Sequence, residues 1–223
     1  MKNKIRQKIS NPYGKGSLSQ SFRRKRFSFF EGLAAELDKP VKILDVGGNE
    51  IFWKTSHGDS SEVFDVTLLN LKEEQPKLPY VKSFAGDACN MSEFSDGEFD
   101  IVFSNSVIEH VGDMDAQRAM AKEIRRVGKR YFVQTPNRHF PVEPHYVFPF
   151  IQYLPKEVQY HIILRWPFSR NSYRNPEISR MHVEEIRLLN RKELLELFPD
   201  AQVYSEMCLG LKKSYVVYSG FKA

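Results

Sequence analysis

The sequence predicts an α/β fold: a mostly parallel, seven-stranded sheet with helices on both faces and an antiparallel hairpin at its C-terminal end. Three observations carry that prediction. Apolar, β-branched runs alternate with helical patterns from Val41 to Thr135, the order that builds a parallel sheet. One of those runs, Val41-Lys42-Ile43-Leu44-Asp45-Val46, stops at Gly47-Gly48, which lets the backbone bend sharply at a strand's carboxyl end, where ligands of open α/β sheets bind. The last two strand-like runs, Gln202–Cys208 and Ser214–Phe221, are joined by a short turn with Gly210. They must pair antiparallel, because a parallel crossover needs about a dozen residues or more.

Taken in order, residues 1–20 are rich in Lys, Asn, Gly and Ser and read as a basic, flexible tail. A helix is expected over Phe22–Leu37, with Phe29, Phe30, Leu33 and Leu37 on the face that docks on the sheet. Strands follow at Val41–Val46, Phe64–Leu71, Val81–Ala85, Phe99–Ser104 and Arg130–Thr135. A helix at Ala116–Val127 turns Ala119, Met120, Ile124 and Val127 to one side. Residues 138–180 are rich in proline and aromatic side chains and show little periodicity, so they read as an insertion that caps the substrate side of the sheet. A helix at Arg191–Phe198 leads into the hairpin, and residues 21–223 make a single domain.

At 223 residues, with 41% hydrophobic and 27% charged side chains, the chain has an ordinary globular composition. No apolar run reaches the roughly 20 residues that cross a bilayer. Met1-Lys2-Asn3-Lys4 lacks the apolar core of a signal peptide, so a cytoplasmic location is expected. Cys89 and Cys208 lie far apart, which suggests neither a disulfide framework nor a zinc cluster, and both are expected as buried thiols. No His, Asp and Glu residues show metal-ligand spacing, so no metal is expected. Part of the net charge of +5 sits in Arg23-Arg24-Lys25-Arg26, which reads as a solvated face or as a contact for nucleic acid or anionic lipid.

Four motifs stand in order along the strands. Leu44-Asp45-Val46-Gly47-Gly48-Asn49 ends the first strand and Asn70 ends the second. Ala85-Gly86-Asp87-Ala88 follows the third, and the fourth runs through Ser104-Asn105-Ser106-Val107-Ile108-Glu109-His110-Val111. Together they resemble the class I S-adenosylmethionine-dependent methyltransferases, in particular the small-molecule, type 11-like branch with its Val-Ile-Glu-His-Val segment. The resemblance covers about Val41 to Asn137 closely and the terminal hairpin in topology.

That resemblance implies S-adenosylmethionine as cofactor, held by Asp45, Gly47, Gly48, Asn49, Asn70, Asp87, Ala88, Ser104 and Asn105. Asn49 stands where the family has a third glycine, and Asn tolerates left-handed backbone better than most residues. Asn70 replaces the usual ribose-binding carboxylate. Asp87 would accept from the adenine amino group: the tetrapeptide alone favours a turn cap, and its place between the first motif and the fourth strand favours the adenine role. On the acceptor side, His110, His139, Glu143 and His145 are the candidates for catalysis, since histidine titrates near neutrality and can take a proton from a hydroxyl. A role in organising their loops is the alternative for each.

The expected activity is methyl transfer to a small-molecule, saccharide or lipid-linked acceptor. The apolar stretches within residues 146–168 would contact lipid or a membrane surface, or else pack on the domain's own core or in a homodimer. Nucleic acid is not the expected partner, because Ser104-Asn105-Ser106-Val107 lacks the Asn/Asp-Pro-Pro-aromatic tetrapeptide of many nucleic-acid amino methyltransferases. A non-catalytic, methyltransferase-like binding module is the competing class, motivated by Asn49 and Asn70.

Overall fold

The computed structural model describes residues 18–56, 62–166 and 175–222. The tail through residue 17, and Pro167 and Phe168 of the second aromatic stretch, lie outside the described residues. Helix α1 (Leu18–Ala34) begins four residues before its expected start. Its Phe27, Phe30 and Ala34 are buried against Val41, Ile43, Phe103 and Phe132 of the sheet. Phe30 meets Phe103 edge-on at 5.0 Å, and Phe103 stacks on Phe132 at 5.5 Å, so this layer is held by aromatic packing.

Strands β1 (Val41–Val46), β2 (Phe64–Asn70), β3 (Val81–Ala85), β4 (Ile101–Asn105) and β5 (Tyr131–Pro136) are parallel. The two-residue strands β6 (Val142–Glu143) and β7 (Phe148–Pro149) form a separate small hairpin. Strands β8 (Gln202–Cys208) and β9 (Leu211–Ser219) complete a seven-stranded sheet of order β3-β2-β1-β4-β5-β9-β8, with β9 antiparallel to β5 and to β8. The predicted sheet is therefore the observed one. β9 starts three residues earlier than expected because Lys212 and Lys213 obscure its apolar pattern, while Leu209 and Gly210, at φ +50° and +79°, make the two-residue turn.

Helix α2 (Glu50–Ser56) follows β1, and helix α3 (Met114–Val127) follows β4. Helix α3 buries Gln117, Met120, Ala121, Ile124 and Val127, joining Leu44, Val102 and Val133 on the face of the sheet opposite α1. All five parallel strands end at one edge. The order reverses between β1 and β4, and such a switch point opens a crevice between the loops that leave in opposite directions.

The insertion is more regular than its sequence suggested. It contains helices α4 (Lys156–Arg165) and α5 (Pro176–Glu185), and it has its own core of Tyr146, Ile151, Ile163, Val183, Ile186 and Leu188. Asn175 caps α5 through Glu177 N and Ile178 N, with Pro176 in the first turn, a start signal that was present in the sequence. Helix α4 carries apolar residues on more than one side, which hides its period. Phe150, Tyr153, Leu154 and Val158 stay exposed on this layer, while Tyr146 and Ile151 turn inward. Helix α6 (Arg191–Leu197), closed by a capping box between Asn190 and Glu193, returns the chain to β8. Both cysteines are half-buried rather than enclosed: Cys89 lies in the loop beyond β3 and Cys208 at the end of the edge strand.

Candidate active site

The β1 turn is built around a buried carboxylate. Asp45, 1% exposed, accepts a 2.7 Å hydrogen bond from Trp53 Nε1 at Oδ2, and its Oδ1 has no partner among the described residues. Burial drives its carboxyl up to about pKa 7, against a smaller lowering by the Trp53 bond. The glycines above it are required. Gly47 has φ +72°, and a Cβ on Gly48 would lie 1.7 Å from Asp45 Oδ2.

Asn49 does not use left-handed backbone at all. Its Oδ1 accepts from Phe52 N at 3.0 Å, so the residue in the third glycine's place is the N-cap of α2. Asn70, at the end of β2, donates from Nδ2 to the Gly48 carbonyl at 3.0 Å. A carboxylate there could not make that bond. Asp87 is exposed beyond β3, and its Oδ1 accepts from Cys89 N at 2.8 Å with Ala88 between them, so the turn-cap reading holds.

Ser104 and Asn105 are committed to the scaffold. Ser104 is fully buried and donates to the Val46 carbonyl at 3.3 Å. Asn105 Oδ1 accepts from Arg26, whose guanidinium also reaches Gln134 at 2.8 Å and forms a two-pronged pair with Glu206 at 3.0 and 2.8 Å. This Arg26 network was not visible in the sequence, where Arg26 reads as one of four surface charges. The residue beyond it, Ser106, has φ +59° and donates to Gln134 Oε1 at 2.7 Å. Left-handed backbone at a non-glycine residue costs roughly 1–2 kcal/mol and gathers at functional sites.

The other side of the cleft follows directly. Residues Ile108–His110 form one short helical turn after β4. Glu109 is 0% exposed: its Oε2 accepts from Thr135 Oγ1 at 3.0 Å, its backbone carbonyl accepts from Arg187 N at 2.9 Å, and its Oε1 is unpartnered among the described residues. Burial raises its carboxyl above the usual range, offset in part by His145. His110 Nε2 lies 3.1 Å from His145 Nε2, and His145 Nδ1 lies 2.5 Å from Glu143 Oε1. Glu143, almost fully buried, also accepts from Tyr146 N at 2.8 Å.

The insertion thus brings His145 and Glu143 to His110 and Glu109. It does not bring His139, which is exposed and pairs through Nδ1 with the Tyr153 hydroxyl at 2.9 Å. A cavity of about 380 Å³ borders Glu143, with Arg138, Tyr146, Lys156 and Arg187 in its walls. Glu109, His110 and His145 form a possible ligand cluster that no spacing in the sequence announced.

Comparison with known proteins bears on the fold. A family profile described as a methyltransferase domain matches residues 58–131. No curated protein matches the chain in sequence. Among solved structures, a SAM-dependent methyltransferase from Aquifex aeolicus is 14% identical, with a TM-score of 0.51 over 91% of this chain and 92% of that one. The Burkholderia thailandensis 1,6-didemethyltoxoflavin-N1-methyltransferase is 15% identical, with a TM-score of 0.51 over 93% and 83%. An O-methyltransferase family protein from the same organism is 12% identical, with a TM-score of 0.54 over 90% of this chain but only 55% of that one. At these identities the likeness is one of fold, and the fold is that of the class I S-adenosylmethionine-dependent methyltransferases.

Proposed function

We propose that this chain, which has the class I methyltransferase fold and a methyltransferase-domain match over residues 58–131, transfers a methyl group from S-adenosylmethionine to a small-molecule acceptor. One observation carries the reading: at the switch point of the sheet, a two-glycine turn that tolerates no Cβ lies over a buried carboxylate with one unpartnered oxygen. An unpaired buried acceptor of that kind fits a ligand that brings hydrogen-bond donors or positive charge, and this cofactor brings both.

The turn at Gly47-Gly48, Asp45, Asn70 and Asp87 would hold the cofactor. Asn70 steadies the turn through the Gly48 carbonyl and keeps an amide oxygen for accepting. Asp87 lies exposed at the end of β3. Bound there, S-adenosylmethionine supplies an electrophilic methyl group on a sulfonium sulfur.

Displacement at such a carbon is governed by alignment and exclusion of water, so the protein's main contribution is positioning. On the acceptor side, the Glu109, His110, Glu143 and His145 cluster supports an acceptor with a hydroxyl group. As oxygen bonds to the methyl carbon and the carbon–sulfur bond breaks, the hydroxyl proton must leave, and His145, steadied by Glu143, would take it. The polar cavity beside Glu143 supports a small, polar acceptor or the saccharide end of a larger one. The exposed Phe150, Tyr153, Leu154 and Val158 favour delivery from an apolar carrier where the acceptor is lipid-linked.

Calorimetric titration of S-adenosylhomocysteine tests this. Micromolar-range binding, on the order of −8 kcal/mol, that weakens clearly in Asp87→Ala is expected. No heat at several temperatures, together with no thermal stabilisation of the wild type, refutes the reading.

A further inference from the structure

We propose that Glu109, His110 and His145 hold a divalent transition-metal ion on the acceptor side of the cleft. Their ligand atoms lie within 4.8 Å of one another, although they come from two segments about 35 residues apart in sequence.

The orientation of the two imidazoles makes the case. Glu143 Oε1 stands 2.5 Å from His145 Nδ1, and Glu185 Oε1 stands 3.4 Å from His110 Nδ1. The short contact to Glu143 draws the His145 ring proton to Nδ1, which leaves the lone pair on its Nε2. That atom faces His110 Nε2 at 3.1 Å. The contact is made either by a ring proton on one Nε2 donated to the other or by a cation between the two nitrogens. A shared proton would satisfy the imidazole pair but leave Glu109 Oε1 bare, buried and 4.0 Å from His145 Nε2. A cation satisfies all three atoms at once.

The dimensions agree. Bonds of about 2.0–2.1 Å in a tetrahedral site set donor atoms about 3.3 Å apart. The histidine pair is already near that separation, and the carboxylate oxygen, 4.0 Å from His145 Nε2 and within 4.8 Å of the His110 ligand atom, closes on it by a shift of about 0.7 to 1.5 Å.

The supporting contacts of a metal site are also present. Glu143 and Glu185 orient the rings, and Thr135 Oγ1 fixes the other oxygen of Glu109 at 3.0 Å. Two imidazoles with one carboxylate select zinc, cobalt, manganese or iron over magnesium or calcium, whose sites are built from oxygen. Three protein ligands leave a fourth position open, as in catalytic rather than structural sites. If an acceptor hydroxyl takes that position, the ion lowers its pKa and the imidazoles act as ligands instead of a base. That consequence rests on the methyltransferase reading, whereas binding of the ion rests on the cluster alone.

The test uses the full chain, freed of metal by dialysis against a chelator and titrated with Co²⁺ while visible absorption is recorded. Ligand-field bands that saturate at one equivalent and disappear on adding Zn²⁺ are expected. Glu109→Gln and His145→Gln should lose the bands, Glu143→Gln should bind about 10- to 100-fold more weakly, and His161→Ala, outside the cluster, should match the wild type. Circular dichroism and thermal unfolding confirm that each variant is folded. Absence of a saturable spectrum in the folded wild type overturns the proposal, as does equal binding by wild type and His145→Gln. Titrating S-adenosylhomocysteine into the same metal-free protein separates the two readings: product binding without cobalt binding removes the metal site alone, and cobalt binding without product binding removes the methyltransferase reading alone.

Discussion

Cofactor binding should release a proton from Asp45. In the free protein, burial holds this carboxyl at about pKa 7, against an ordinary 3.8, and one of its oxygens lacks a partner. A ligand that places a donor or a positive charge on Oδ1 favours the ionised form and returns the carboxyl towards its ordinary value. If the return is complete, binding releases about 0.9 of a proton near pH 6, about 0.5 near pH 7 and under about 0.1 near pH 8. Titration of S-adenosylhomocysteine in two buffers of different ionisation enthalpy measures this directly, because the observed heat changes by the proton number times the difference between the buffers. Asp45→Asn removes the effect and separates it from protons released elsewhere in the chain. The same shift acts on folding. The raised carboxyl supports the free protein fully below pH 3.8, and that support is lost as pH rises towards 7, at most on the order of 4 kcal/mol. Asp45→Asn, which keeps an acceptor for Trp53, should therefore stabilise the unliganded protein in mild alkali. A buffer-independent heat near pH 6, with binding intact, would refute the reasoning.

Other consequences follow from the scaffold. Gly48→Ala puts a Cβ 1.7 Å from Asp45 Oδ2, so it should cost about 1–3 kcal/mol in urea unfolding and weaken S-adenosylhomocysteine binding more than tenfold. Arg26→Met leaves Glu206 buried and uncompensated and should cost about 3–5 kcal/mol, while the double variant Arg26→Met, Glu206→Leu should recover most of that loss. Asp100 accepts from Lys129 Nζ at 2.9 Å and from Lys42 N at 3.0 Å, bonds that hold its carboxyl below the usual range despite partial burial. Its contribution is present above the unfolded value and lost as pH falls through the folded one, so Asp100→Asn should destabilise at neutral pH and approach the wild type in acid.

The parts of the molecule legible in its sequence are those set by local pattern. β1, β3 and β8 begin and end at the expected residues, because each is a short β-prone run bounded by turn residues. The Gly47-Gly48 bend was legible for the same reason. Features that depend on distant partners were not. Arg26 reads as a surface charge until Glu206, 180 residues away, covers it. Glu109 and His110 were legible as neighbours, but their meeting with His145 depends on how the insertion folds, and the insertion's first helix has no clean apolar stripe. Asn49 was read from its position in a motif as a residue needing unusual backbone, whereas the start of α2 at Glu50 makes it a cap.

The two sides of the cleft share one physical device. Asp45 and Glu109 are both buried at the carboxyl ends of adjacent strands. Each has one oxygen satisfied by a side-chain donor, Trp53 or Thr135, and the other left without a partner. Folded proteins leave few buried polar atoms in that state, because each costs roughly 1–3 kcal/mol and more when charged. Among the described residues, these two are the carboxylate oxygens in that state, and both lie at the carboxyl edge of one sheet. They are well explained as acceptors held ready for groups that arrive with a ligand: donors of the cofactor at Asp45 and a cation at Glu109. On this account filling either site should stabilise the fold against urea, and filling both should stabilise it by about the sum, because the carboxylates are supported by different elements.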